Sequence, residues 1–215
     1  MFIEFTVTNY RSILSPQKLS MVASNYEKDA LGQNKFQPTQ DESFSLLRSV
    51  VLYGANASGK STFIQALQFV KNQVINSQKE SQAGEAIEVL PFKLTKKSIL
   101  EDSEFELVFI EQGVRYQYGF CCNANRFTEE WLIAYPNGRA QKWFHRVYDS
   151  NNSIDTYKFS STFLGGRQRQ ITATQTRSNA LYLSTAVQFN NAQLMPVFNW
   201  FKNKLRVVSS SHLLS

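Results

Sequence analysis

Gly54-Ala55-Asn56-Ala57-Ser58-Gly59-Lys60-Ser61-Thr62 fills the pattern G-x-x-x-x-G-K-[ST] at every required position. At ordinary residue usage, a chain of 215 residues matches it by accident about once in a hundred sequences. The flanks reduce that chance. Ser49-Val50-Val51-Leu52-Tyr53 reads as a short buried strand, and Thr62 to Gln78 places Phe63, Ile64, Leu67, Val70, Val74 and Ile75 at helical spacing. Strand, loop and helix in that order predict a site for a nucleoside triphosphate. Gly54 and Gly59 let the backbone take conformations that a Cβ would block, so successive N–H groups can close on phosphate oxygens at the positive end of the helix. Lys60 is expected to reach the β and γ phosphates and Ser61 to ligate Mg²⁺, with Ala55, Asn56, Ala57, Ser58 and Thr62 completing the cradle. The bland alternative is a glycine-rich turn capping a helix beside an incidental lysine.

Composition narrows the setting. The chain carries 23 Lys and Arg against 17 Asp and Glu, for a net charge of +6. That balance suits a partner bearing phosphates, nucleic acid included, although the basic residues are scattered. The closest groupings are Lys93-Leu94-Thr95-Lys96-Lys97 and Arg167-Gln168-Arg169. No run of about eighteen apolar residues occurs and the first residues lack the pattern of a secretory signal, so a cytoplasmic location without a membrane span is expected. Cys121 and Cys122 are adjacent, which fits neither a zinc site nor a disulfide framework, and they read as packing residues. His145 and His212 read as isolated imidazoles.

Phe2 to Thr8 alternates as a strand, Asn9-Tyr10-Arg11-Ser12 makes a turn, and Gln17 to Ala23 can pair back. Residues 24–48 read as a loop or insertion, most polar from Ser24 to Glu42. Four strands then follow at short intervals: Glu104 to Glu111, Val114 to Cys122, Thr128 to Tyr135 and Gln141 to Tyr148. Pro136-Asn137-Gly138-Arg139 makes a turn between the last two, so the region reads as an antiparallel meander. Val114, Tyr116, Tyr118 and Phe120 form one face at period two, either packed on a core or open for base stacking. From Ser178 the period becomes helical, through Leu181, Leu183, Ala186, Val187, Leu194, Val197, Phe198 and Phe201, and Arg206-Val207-Val208 can open another strand.

An apolar first strand, Asn9-Tyr10-Arg11-Ser12-Ile13 and a loop of the form Gly-x-Asn-x-Ser-Gly-Lys-Ser together resemble the ABC-type ATPase heads of SMC, RecF and OLD-like proteins. Pro91-Phe92-Lys93-Leu94, Phe105-Glu106-Leu107, Tyr116-Gln117-Tyr118-Gly119-Phe120 and Glu129-Glu130-Trp131-Leu132 resemble a narrower group. That group is the bacterial AAA-family ATPases of abortive-infection and restriction-associated loci. The resemblance runs from Met1 to about Val208. It implies an α/β P-loop NTPase fold, an ABC-like first lobe with a mixed sheet around the phosphate loop, the meander covering the nucleotide base, and C-terminal helices. It further implies ATP and Mg²⁺ as ligands, Arg11 near the nucleotide, and Gln188 as the glutamine that senses Mg²⁺ or the γ-phosphate. Implied partners are a second head in a homodimer across the nucleotide, DNA, and a nuclease.

In that family a Ser-Gly-rich signature and a strand ending in Asp-Glu complete the site from a second lobe. Leu164-Gly165-Gly166-Arg167-Gln168 is similar to the signature, but no Asp-Glu strand follows it. Leu107 to Glu111 is similar to that strand, but Glu111-Gln112-Gly113-Val114 reads as a hairpin turn. The chain is therefore expected to be a first lobe spanning 1–215, binding nucleotide with slow turnover or none. Three roles follow: a DNA-associated or anti-phage defence ATPase, a nucleotide-dependent interaction module that regulates an effector, and, disfavoured by the meander, a metabolic kinase.

Overall fold

Apolar and polar residues alternate at period two through most of the chain from Ser103 to Phe159, and in the computed structural model they build one large antiparallel sheet. The structure describes residues 1–24, 32–38, 44–56, 58–79 and 82–208. Strands β1 (Phe2–Thr8) and β2 (Gln17–Ser20) come first, then a short hairpin of β3 (Lys35–Phe36) and β4 (Leu46–Leu47), and helices α1 (Lys60–Asn76) and α2 (Lys96–Leu100). The meander is β5 (Ser103–Glu111), β6 (Val114–Cys122), β7 (Phe127–Tyr135), β8 (Gln141–Asp149) and β9 (Ile154–Phe159). Helices α3 (Gly166–Gln175), α4 (Tyr182–Gln188) and α5 (Met195–Asn199) follow, the last continuing as a π-helical turn over Trp200–Lys204. The sheet order is β2-β1-β5-β6-β7-β8-β9.

Hairpin chemistry sets the register. Gln112 and Gly113 have φ of 52° and 78°, the left-handed pair that a tight turn between β5 and β6 requires. Asn137 and Gly138 do the same between β7 and β8, at 58° and 73°. One face of the sheet then carries Phe105, Leu107, Phe109, Tyr118, Phe120, Leu132 and Phe144, all fully buried under the helices. Trp200 stacks on Phe109 with centroids 4.0 Å apart, and Phe69 of α1 lies 5.1 Å from Phe105. Burying each such ring contributes about 1.5–3 kcal/mol. Tyr116, Tyr118 and Phe120 thus belong to the core and offer no platform to a base.

Several expectations from the sequence change. No parallel pair occurs among the described residues, so the mixed sheet is replaced by an antiparallel one. The segment Ser49 to Tyr53 is not a strand. Val51 and Tyr53 are 78% and 91% exposed, because nothing among the described residues lies alongside to pair with them. α1 begins at Lys60 and ends at Asn76, and its buried face uses Ala66 and Phe69 in place of Ile64 and Ile75. The 24–48 segment contains the β3–β4 hairpin, with Leu46 packed on Ile3 and Ile110, while 25–31 and 39–43 lie outside the described residues. β9 was not legible because its inward residues, Asp155, Tyr157 and Phe159, alternate with Ile154, whose side chain is exposed. Arg206 to Val208 forms no strand.

Candidate functional site

The phosphate-type loop closes where α1 starts. Gly59 precedes the helix at φ 94°, a left-handed conformation that disfavours a Cβ, and it offers no side-chain cap. The first N–H groups of a helix have no intrahelical partner, so this end of α1 presents donors suited to an anion. A Cβ at Gly54 would stand 2.9 Å from Ser58 Oγ, so a larger residue there would need that hydroxyl to turn aside. Lys60 Nζ is folded back into the loop. It donates to the carbonyls of Gly54 and Ala55 at 2.7 Å each and to Ser58 Oγ at 3.3 Å. The ammonium is thus held over the concavity by exposed, exchangeable contacts.

A cavity of about 590 Å³ adjoins this loop. Ser12, Ile13 and Leu14 from the β1–β2 connection, Leu52 and Tyr53 before the loop, and Lys60 contribute to its lining. Its size falls in the range of small-molecule sites. Among the described residues, no Asp or Glu and no residue of the meander lines it, while Ser12, Ile13 and Leu14 of the β1–β2 connection do.

The turn after β1 is fixed from inside. Asn9, 3% exposed and at φ 52°, donates through Nδ2 to the carbonyls of Ser98 (2.8 Å) and Glu101 (2.9 Å) and accepts from Phe92 N–H at 3.0 Å. Ser103 Oγ donates to the Asn9 carbonyl. This clamp presents Ser12 to α1, where its hydroxyl lies 2.7 Å from Thr62 Oγ1. Arg11, also left-handed at φ 51°, donates to Gln65 Oε1 at 3.2 Å and to the Tyr10 hydroxyl at 3.2 Å. Burial pushes the Tyr10 phenol above its ordinary value against the opposing pull of Arg11. Arg11 lines a second groove, of about 680 Å³, with Gln68, Lys71 and Asn72 of α1 and with Glu88 from the segment after it.

The structure therefore brings Gly54, Ser58, Gly59, Lys60 and Ser12 to one cavity. Ser61 is exposed and Thr62 half-buried in the first turn of α1, Ala55 and Asn56 are exposed in the loop, and Ala57 lies outside the described residues. Arg11 stands one groove away. Gln188 is exposed at the end of α4 and lines neither cavity. Gly165 and Gly166, at φ 109° and 50°, open α3, and Glu111 ends β5 at its hairpin. His145 is not isolated. Its Nε2 lies 2.6 Å from Glu129 Oε1, since antiparallel pairing sets the two on one face of adjacent strands. His212 lies outside the described residues. Cys121 and Cys122 are free thiols pushed well above their ordinary range by burial, which suits packing.

Asn9 to Ile13 stands out in the sequence as a motif, but the contact of Ser12 with Thr62 and the clamping role of Asn9 were missed because their partners lie 50 or more residues away. It also missed Glu130. This fully buried carboxylate accepts from the Tyr182 and Leu183 N–H groups at 2.6 and 3.0 Å and from Tyr118 OH at 3.0 Å. Burial raises its carboxyl above the ordinary value, opposed by Arg146 and those donors.

A family described as "AAA domain, putative AbiEii toxin, Type IV TA system" matches residues 49–184, more than half of the chain. The chain belongs to that family. As an AAA-family ATP-binding protein, it places the family match over the loop, α1, the meander and the start of α4. No curated protein matches the chain significantly. Among the described residues, no helix is long and apolar enough to cross a membrane.

Proposed function

We propose that this AAA-family protein binds MgATP at the loop 54–62 and acts in the cytoplasm as the first lobe of an SMC- or RecF-like ATPase, in DNA-associated or anti-phage defence processes. The observation that carries the reading is Lys60, placed as the first residue of α1 with its ammonium 2.7 Å from two loop carbonyls beside the cavity. A triphosphate fits these groups. The anion would exchange the loop's own carbonyls for phosphate oxygens at Lys60, while the uncapped N–H groups of α1 donate to it. Bound Mg²⁺ would add positive charge on the phosphates, and Ser61 is the residue to hold it. Ser12 would steady the start of α1 through Thr62, and Ile13, Leu14, Leu52 and Tyr53 would exclude water from the nucleoside.

The exposed run Val50 to Tyr53 supports a second lobe. Four apolar residues directly before a phosphate loop acquire ladder partners and burial only when strands from elsewhere flank them. That lobe would bring the signature and the Asp-Glu strand, a second head would close the site, and DNA or a nuclease would be the downstream partner. A second reading, a nucleotide-dependent interaction module without turnover, is favoured by the lack of a carboxylate in the cavity lining among the described residues.

Titration with a fluorescent ATP analogue tests the site. Lys60→Ala should weaken binding at least about tenfold, the loss of a charge-assisted contact. Equal affinity in parent and variant would refute the assignment. Hydrolysis by the described chain no faster than background would favour the module.

A further inference from the structure

Between α1 and β5 lies a short helix with a fixed inner side and a bare outer one. Ser98 of α2 is 1% exposed, its hydroxyl donates to Phe92 O at 2.6 Å, and its carbonyl receives Asn9 Nδ2 at 2.8 Å. Thr95 caps the helix by accepting from Ser98 N–H at 3.2 Å. On the outside, Leu94, Ile99 and Leu100 are 85%, 50% and 87% exposed. A single exposed leucine is ordinary, but three large apolar side chains within seven residues of a firmly hydrogen-bonded turn form a patch. Lys93, Lys96 and Lys97 bracket it. Lys97 pairs with Glu101 at 3.3 Å, while Lys93 and Lys96 have no ion pair among the described residues.

Four residues after Leu100, Glu104 borders a cavity of about 320 Å³ on the sheet face away from the helices, with Cys121, Glu129, Trp131, Ile133 and His145. Lys142 also lines it, and His145 is held by Glu129. Glu106 lies next to the site and fixes the Trp131 indole by accepting from Nε1 at 2.9 Å. Burial, with Glu106 and Glu129 nearby, raises the Glu104 carboxyl above its ordinary value. A leucine side chain fills on the order of 100–150 Å³, so this cavity has room for one or two.

We infer that this patch is an interface between two copies of the chain related by a twofold axis: Leu94 and Leu100 of each copy enter the Glu104–Trp131 cavity of the other, and Lys93 and Lys96 face Glu104 and Glu129. An isologous interface requires one surface to contain both complementary halves. Here one chain carries both halves: a basic knob with Leu94 and Leu100, and a cavity in which Trp131 and Ile133 lie beside the carboxylates of Glu104 and Glu129. None of these residues lines the cavity at the phosphate loop, so the association needs no nucleotide and does not rest on the nucleotide reading.

Sedimentation velocity without nucleotide or Mg²⁺ decides it. The parent should be dimeric at concentrations on the order of 10 μM. Lys93→Glu with Lys96→Glu should be monomeric alone, as should Glu104→Lys with Glu129→Lys, since each opposes like charges across both contacts. Mixed together they should form a heterodimer, because both contacts become complementary. Leu94→Asp with Leu100→Asp should stay monomeric in every mixture, with the parent's circular dichroism spectrum, so the result stands even if a reversed-charge variant folds poorly. A monomeric parent, or a dimer that survives the leucine substitutions, overturns the inference. So does a monomeric parent that pellets with phosphatidylserine vesicles through Leu94, which would give the patch to a membrane surface.

Discussion

Replacing Gly119 by alanine tests how the meander is held together. Gly119 sits in β6 opposite Trp131 of β7, and the indole lies across its Cα. A Cβ there would stand 2.3 Å from Trp131 Cζ2 and 2.7 Å from the Phe105 carbonyl. Contacts below about 3 Å between carbon and its neighbours are not tolerated, so the ring must leave and β5 must shift. Overpacking of this kind costs about 1–3 kcal/mol. Displacing the ring also breaks the 2.9 Å hydrogen bond from Trp131 Nε1 to the Glu106 carboxylate, a charge-assisted bond of about 1.5–3 kcal/mol. Alanine returns about 0.4–1 kcal/mol by restricting the unfolded chain. The net expectation for Gly119→Ala is a loss of about 2–4 kcal/mol, read as a lower urea midpoint at unchanged slope. In the Trp131→Ala background the ring clash vanishes and only the carbonyl contact remains, so the two substitutions should cost clearly less together than the sum of each alone. A Gly119→Ala protein within 0.5 kcal/mol of the parent, as flagged by the scatter of surface substitutions, or strictly additive substitutions, would refute the argument.

Asn9→Ala should cost about 3 kcal/mol in urea unfolding, from the lost buried hydrogen bonds and the left-handed backbone together. Asn9→Gly should recover about 1 kcal/mol of that by relieving the backbone alone, and equal losses in the two would discount the strain. Glu104 supplies a pH dependence. Its folded-state carboxyl titrates above the ordinary value of 4.5, first through burial and then through Glu106 and Glu129, so the folded chain holds the proton more tightly than the unfolded one. Its contribution is therefore fully present below 4.5 and is lost as pH rises through the raised value. Glu104→Gln should flatten the fall in urea midpoint between acid and neutral pH, and a parallel pH profile in the variant would contradict the assignment.

The loop that opens α1 and the hairpin turns were legible because each depends on local chemistry: a glycine where φ must be positive, a lysine at the first turn of a helix, Gln112-Gly113 and Asn137-Gly138 at the turns. The fate of Val50 to Tyr53 was not legible in the same way. An apolar, β-branched run specifies a willingness to be buried, whereas a strand needs neighbours, and no described residue provides them. Gln188 and Arg11 entered by resemblance, and neither lines the loop cavity because of how α4 and the β1–β2 turn pack.

From its own residues the sequence determined a nucleotide-type loop, four strands of a meander and an aromatic core at period two. Which of two adjacent glutamates enters that core was decided only in three dimensions. Between Cys121 and Cys122 the pairing to β7 skips a residue, passing from Glu129 to Phe127. This bulge turns both Phe127 and Glu130 inward, where Glu130 meets the first N–H groups of α4, and leaves Glu129 outside beside His145. Alternation along one strand cannot encode that choice, because a bulge resets the side-chain phase and its position depends on the partner strand. The Asn9 clamp is of the same kind: four hydrogen bonds reach across some ninety residues, and only the closed fold brings their partners within reach.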